Sequence, residues 1–378
     1  MQLLQVTNIV SHHQLPLARR FASAVGEKNF RFAATQESMP ERQKLGWRSE
    51  DTEPWILRAG ANESDFKQFL QWWINADVVI CGDRLIERLN NRIDKKKLTF
   101  YMTERWWKPP FGMARLFHPM FILMAAQFRK LASSAYFNCL PIGHYSAVDM
   151  KRIAPFRNRM WLWGYFTEVL DVLPECDRSE NDFKVLWAGR MLSWKKVNTL
   201  IKAFTVLLSV HPYAMLTLVG DGPERRRLEL LAERLLPIKN YTFLPSKPVI
   251  EIRQLMRQHH IYVLSSNAQE GWGAVINEAM SEGCTIIASE HAGAAKTLIR
   301  HGENGLIFKP KDWKALGHLL SFAASDKSKR IQLARRGQQT IANDWSPAVA
   351  AERFLSICGA LLNKRAIPKY SDGPMSAV

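Results

Sequence analysis

EGWGAVINE, Glu270 to Glu278, places two carboxylates seven residues apart around a Gly-Trp-Gly, directly after the apolar run IYVLSS. Carboxylates are strong acceptors for hydroxyl groups. Gly271 and Gly273 let the backbone approach a ligand closely, with Trp272 between them. A helix starting near Ala274 would set Glu278 about one turn inside. GRMLSWKK, Gly189 to Lys196, follows the apolar run KVLWA. Arg190 and Lys195 then fall near a helix start, where unpaired N–H groups and the helix dipole favour anions such as a diphosphate. VGDGPERRR follows AMLTL: Gly220-Asp221-Gly222 form a turn, with Pro223 expected at the first helical position. Two cations for a diphosphate, two carboxylates for hydroxyls and glycines at strand ends together describe a nucleotide-sugar site.

The N-terminal half offers fewer such residues. His12 and His13 in SHHQLP follow the first strand. They read as contacts or proton acceptors for an acceptor hydroxyl, or as loop histidines satisfied by local hydrogen bonds. In TERWWKPPF, Glu104 and Arg105 follow LTFYM and are expected to point toward the same cleft. Trp106 and Trp107 could stack on a sugar or lipid, or pack structurally. His144 in PIGHYSAVDM is a weaker candidate.

The elements that would carry these residues alternate. LLQVTNIV, FRFAAT, DVVICG, LTFYMTE and AYFNCLP read as strands, separated by helical stretches such as LPLARRFASAV, DFKQFLQWWINA and GMARLFHPMFILMAAQFRKLA. KVLWAGR, AMLTLVG, NYTFLP, IYVLSS and CTIIAS continue as strands between WKKVNTLIKAFTVLLSV, PERRRLELLAERL, VIEIRQLMRQ and AVINEAMSEG. Short apolar runs alternating with longer helices indicate parallel α/β sheets. The expected organisation is two doubly wound Rossmann-like domains facing a cleft, 1–171 and 184–345, joined by the polar, acidic linker 172–183. A helix over 346–364, opened by a Ser-Pro start, packs back toward the N-terminal domain, and the tail 365–378 is mobile.

The 378 residues carry 47% hydrophobic and 23% charged positions, a globular composition. The formal charge of +17 favours polyanionic partners: nucleic acid, anionic lipid or phosphorylated small molecules. Five scattered cysteines, without C-x-x-C or a metal-spaced cluster, read as reduced core thiols of a cytoplasmic protein. The opening MQLLQVTNIVSHHQ lacks a basic n-region and a cleavage site, so no signal peptide is expected. FHPMFILMAAQF is too short to span a bilayer. With Arg115, Arg129 and Lys130 around it, this segment reads as a membrane-surface helix or a core helix.

The second half resembles the retaining glycosyltransferases of family 4, which have the GT-B fold and a group 1 C-terminal domain. GRMLSWKK stands for that family's G-R-L-x-x-x-K-G, VGDGPER for its V-G-x-G-P and EGWGAVINE for its E-x(7)-E. EAMSEGCTIIASEHAGAAKTLIRHGENGLIF is similar to E-A-M-A-x-G-x-P-V-V-A-x-x-x-G-G followed by D-G-x-N-G. The resemblance runs from about Val185 to Phe308 and is loose in the N-terminal half. It implies that Arg190 and Lys195 hold the donor diphosphate, that Glu270 accepts from sugar hydroxyls, and that Glu278 holds the ribose. The backbone of Gly189, Gly220, Gly271, Trp272 and Gly273 would lie nearby. Lys196 stands where glycine is usual, Cys284-Thr285 replaces the x-Pro, and Ala294 replaces a second glycine; these departures bear on sugar choice more than on reaction class.

The expected function is metal-independent, retaining hexosyl transfer from a nucleotide-diphosphate sugar to a glycan or lipid-linked acceptor, in cell-envelope or extracellular polysaccharide synthesis. The donor is a substrate, and no cofactor is expected. No D-x-D occurs, and the cations already present can do a metal's electrostatic work. The location would be cytoplasmic, at the inner face of the cell membrane. A basic nucleic-acid-binding protein is the alternative, but no nucleic-acid motif accompanies the charge, so no nucleic acid is expected. A dinucleotide oxidoreductase lacks its G-x-G-x-x-G after the first strand. A catalytically silent relative is disfavoured by the intact Arg190, Lys195, Glu270 and Glu278.

Overall fold

The computed structural model describes residues 1–37, 53–82, 86–170, 174–175, 178 and 182–378. The chain divides into two compact units, Met1–Glu168 with Asp344–Val378, and Val169–Asn343. The linker expected over 172–183 lies mostly outside the described residues. Within it, the Arg178 guanidinium donates to the carbonyls of Arg257, Glu282 and Gly283, which belong to the second unit.

The first unit holds strands β1 (Leu3–Thr7), β2 (Phe30–Ala34), β3 (Ile56–Leu57), β4 (Val78–Cys81), β5 (Leu98–Thr103) and β6 (Phe137–Pro141). They form one parallel sheet in the order β3-β2-β1-β4-β5-β6. Its helices are α1 (Leu15–Val25), α2 (Glu63–Asn75), α3 (Ile86–Asp94), α4 (Pro119–Ala132) and α5 (Gly143–Ile153). The second unit repeats the plan with β7 (Lys184–Ala188), β8 (Met215–Val219), β9 (Tyr241–Leu244), β10 (Ile261–Leu264), β11 (Thr285–Ser289) and β12 (Leu306–Phe308). Their order is β12-β11-β10-β7-β8-β9, again parallel. Helices α6 (Val197–Val210), α7 (Arg225–Leu235), α8 (Val249–Gln258), α9 (Val275–Ser281), α10 (Gly293–Leu298), α11 (Trp313–Ser325) and α12 (Lys327–Gln339) belong to it. Both sheets are doubly wound, as the alternation of elements implies. Their strand order reverses between β1 and β4 and between β7 and β10. In open α/β sheets, ligands bind at the carboxyl ends of the strands at such a reversal.

Several local expectations need correction. The expected helix from Gly112 onward is two elements, a 3-10 turn at Gly112–Phe117 and α4. Pro119 forces His118 out of the helical region (φ −83°, ψ 125°) and then starts the next helix itself. Pro223 is not the first residue of α7 but lies in the turn before it, since that helix starts at Arg225. The short edge strands β3 and β12 and helices α3, α5, α10, α11 and α12 were not anticipated.

Helix α13 (Pro347–Leu362) is capped by Ser346, whose hydroxyl accepts from the Val349 N–H at 3.3 Å. Phe354 meets Phe21 at 5.4 Å and Phe100 at 4.7 Å between ring centroids, which ties α13 to the first unit. The end of the chain is not a mobile tail. Met375 is buried, its N–H donates to the Leu162 carbonyl at 2.8 Å, and Ala377 bridges to Trp161. A buried apolar side chain and the backbone hydrogen bonds to Leu162 are enough to hold it. Cys81, Cys139, Cys284 and Cys358 are buried thiols; Cys176 lies outside the described residues.

One buried histidine makes the second unit acid-sensitive. His259 is 4% exposed, with Nδ1 at 2.6 Å from the Leu255 carbonyl and Nε2 at 2.8 Å from Thr217 Oγ1. Burial lowers its pKa from 6.5 to about 4. Between these values the unfolded chain binds the proton and the folded one does not. Stability is therefore full above pH 6.5 and lost as pH falls toward 4, by about 2–3 kcal/mol. Urea melts across that window should show a smaller loss for His259→Gln than for the native chain.

Candidate active site

In the second unit the reversal between β7 and β10 carries the loops 189–196 and 265–274, which hold most of the chemistry found in the sequence. Glu270 is 9% exposed. Its Oε2 accepts from Lys195 Nζ at 2.6 Å and from Ser266 Oγ at 2.8 Å. Lys195 ends a 3-10 turn, Ser193–Lys195, ahead of α6, and its ammonium lies 4.4 Å from the Trp194 ring centroid. Ser265 Oγ donates to the Lys195 carbonyl at 2.8 Å, and the Asn267 N–H donates to the Trp194 carbonyl at 2.9 Å. These bonds hold the two loops together at the carboxyl ends of the central strands.

Tyr262 braces the floor beneath them. Its hydroxyl donates to the Ala188 carbonyl at 2.8 Å and accepts from the Ala188 N–H at 3.2 Å. Burial pushes this phenol far above its ordinary range, and the Glu278 and Glu270 carboxylates add to the effect. Tyr262 thus stays protonated. Glu278 is buried in the first turn of α9, where the helix dipole favours its charge. Trp272 turns its side chain inward, its ring N–H donating to Asn277 Oδ1 at 2.9 Å, so only its backbone can face a ligand. Arg190 is exposed on the loop after Gly189. Gly220 packs its backbone against Gly189.

Lys196, the residue just before α6, is in the left-handed region (φ 53°, ψ 38°), which a side chain occupies at a cost. Lys196→Gly should raise stability in urea by about 0.5–1 kcal/mol, the relieved strain being partly offset by a freer unfolded chain.

The first unit carries a polar group of its own. The rings of His12 and His13, in the loop after β1, are 3.8 Å apart. His13 lies 6.2 Å from the Tyr165 ring. Tyr165 donates to Glu104 Oε1 at 3.1 Å, and Lys108 Nζ donates to Oε2 at 2.6 Å. Burial holds the Tyr165 phenol well above its ordinary pKa, and the neighbouring Glu104 carboxylate reinforces this. Glu104 therefore joins His13 through Tyr165, whereas Arg105 departs to lie 4.6 Å from the Tyr145 ring centroid. His144 is exposed beside the same tyrosine.

Trp106 and Trp107 are not placed to stack on a ligand. Both are buried; Trp106 meets Phe128 edge-on at 5.0 Å, and Trp107 lies 6.0 Å from Phe121. Their backbone N–H groups donate to Asp149 Oδ2 at 2.8 and 3.2 Å. Burial of these large rings outweighs an exposed role.

Ser266, Tyr262, Lys108 and Tyr165 were missed from the sequence. The serines that end IYVLSS just before Glu270 were a usable signal. Nothing in the sequence indicated Tyr165.

Residues 174–340 match the family Glycosyl transferases group 1. That span includes Arg190, Lys195, Glu270 and Glu278. The chain is 29% identical over 173 residues to the lipopolysaccharide core biosynthesis glycosyltransferase LpsE of Rhizobium meliloti, covering 46% of this chain and 48% of LpsE. The chain thus spans about half or less of the length of the curated relatives it matches. HepE of Anabaena, solved with UDP, superposes with a TM-score of 0.71 over 95% of this chain and all of HepE, at 17% identity. WaaG, a glycosyltransferase involved in lipopolysaccharide biosynthesis, gives 0.63 over 93% of this chain and 98% of WaaG, at 16% identity. At these identities the likeness is one of fold, and the fold is GT-B.

Proposed function

We propose that the protein is a retaining, metal-independent glycosyltransferase. It moves a hexosyl group from a nucleotide-diphosphate sugar to a glycan or lipid-linked acceptor of the cell envelope or an extracellular polysaccharide. The observation that carries this reading is the Lys195–Glu270 pair at the β7/β10 reversal, inside the group 1 match. Glu270 is the counter-ion of Lys195 here. A donor would take over both groups, its diphosphate approaching Lys195 and Arg190 while sugar hydroxyls donate to Glu270. Glu278 would accept from the ribose hydroxyls.

In the reaction the bond from the anomeric carbon to the diphosphate oxygen breaks. The leaving anion is neutralised by Lys195 and Arg190, charge placed in advance where it develops. The acceptor oxygen bonds to the anomeric carbon on the face the diphosphate leaves. Its proton passes to His13, with His12, Glu104 and Arg105 assigned to binding the acceptor. The lipopolysaccharide role of LpsE and WaaG supports an envelope acceptor, and the UDP in HepE makes UDP the first nucleotide to try.

The test is a thermal-shift panel with UDP, GDP, ADP, dTDP and NAD. A ligand at a hundred times its Kd stabilises by about 2.7 kcal/mol, worth several degrees in midpoint. One nucleoside diphosphate should shift the midpoint and NAD should not. Sugars on that nucleotide should then be transferred in the presence of a chelator, with the product anomer matching the donor's by NMR. A shift with NAD alone, or with nothing, would overturn the reading.

A further inference from the structure

The segment 111–130 of the first unit has apolar side chains where a surface helix should be polar. Phe111 (67%), Phe117 (87%), Met120 (66%) and Leu123 (71%) are strongly exposed, and Met113 and Ile122 are at least half exposed. These six fall within thirteen residues, among eighteen exposed large hydrophobics in all the described residues. Helix α4 already buries one face: Phe128 and Leu131 belong to the core of this unit, and Phe121 and Met124 pack against it. Met120, Ile122 and Leu123 lie on the other side, so the first two turns are apolar nearly all round. A helix of that kind is buried in protein or in lipid, and a contiguous exposed apolar patch marks an interaction surface.

Charge identifies what covers it. No acidic residue occurs between Glu104 and Asp149, while Arg105, Lys108, Arg115, Arg129 and Lys130 all fall in that interval. Lys130 and Arg129 are exposed in the last turn of α4, next to the apolar turns. An apolar centre with a basic rim matches an anionic bilayer surface, where the side chains enter the acyl boundary and the cations meet headgroups. No helix among the described residues is long and apolar enough to cross a membrane. α4 has 14 residues, enough to lie along an interface.

We infer that the protein docks on anionic phospholipid membranes through the 3-10 turn Gly112–Phe117 and the outer face of α4. This docking is independent of the sugar-transfer reading, since membrane binding is measured without donor or acceptor. The experiment is co-flotation of the full chain with phosphatidylcholine vesicles, with and without phosphatidylglycerol. The native chain should float with the mixed vesicles, less so as salt rises, and hardly at all with phosphatidylcholine alone. The double variant Phe117→Glu/Leu123→Glu should bind about 10-fold more weakly or worse, with an unchanged unfolding midpoint because both side chains are exposed. Lys130→Gln should weaken binding and flatten the salt dependence. Equal binding to neutral and anionic vesicles, or native-like binding by the double variant, would overturn the proposal. So would light scattering that finds a dimer which the double variant breaks, because the patch would then belong to a second copy.

Discussion

Lys195→Ala lowers kcat/KM for sugar transfer about 10²–10³-fold while the fold persists. The ammonium lies at the carboxyl end of β7, 2.6 Å from Glu270, and in the proposed reaction it faces the charge that develops on the departing diphosphate. Losing one such pre-placed group from a partly desolvated site costs about 3–4 kcal/mol of transition-state stabilisation. Stability should change far less. The paired side chains are 17% and 11% exposed, and Ser266 still donates to Glu270 when the lysine is gone. We expect a loss of about 1 kcal/mol or less. The same nucleoside diphosphate should also bind more weakly, because its phosphates lose their cation. Glu270→Ala should abolish transfer through the sugar hydroxyls while weakening the bare nucleotide much less. Near-native turnover in both variants, measured with the donor found in the thermal-shift panel, would remove these residues from the site.

Gly220→Ala has the largest effect expected on stability. Gly220 follows β8 at φ 134°, and a Cβ there would lie 1.9 Å from the Gly189 carbonyl oxygen. That neighbour is backbone, fixed by the Gly189 N–H to Val219 carbonyl bond of 3.0 Å, so neither partner can turn aside. Overpacking and backbone strain together should cost about 3 kcal/mol or more, lowering the midpoint by roughly 10 °C. Gly302→Ala separates the two causes. Gly302 also has positive φ, 79°, but nothing lies within 4 Å of its added Cβ. Its cost should stay near 1 kcal/mol, the backbone strain alone. Equal costs at both positions would mean that the Gly189–Gly220 contact yields easily. Any displaced Gly189 loop carries Arg190 and Lys195 with it, so Gly220→Ala should also lose donor affinity.

How much of this was legible varies by residue. The loops proposed to hold the donor stood out because each follows a mostly apolar strand and each carries its chemistry within about eight consecutive residues. The sheets followed from the same alternation, a signal confined to neighbouring residues. The short edge strands β3 and β12 were too brief to leave a pattern. Local rules also misled where two competed: the apolar run from Gly112 to Ala132 suggested one helix, yet Pro119 divides it. The tryptophans at 106 and 107 follow a strand in the way site residues do, and burial of their rings prevailed.

By itself the sequence determined the element types, the doubly wound plan and the presence of two cations and two carboxylates in glycine-bearing loops. Period, turn residues and local charge encode these, and they act over a few positions. Only the tertiary structure decided that Lys195 meets Glu270, that Tyr262 braces Ala188, that Tyr165 joins Glu104, and that the last residues are held rather than loose. Those contacts join residues tens to hundreds of positions apart. They exist because β10 pairs with β7 rather than with its sequence neighbour β9, and because apolar side chains such as Phe354 and Met375 leave water together. Strand order and burial are properties of the whole chain, and no short stretch of it contains them.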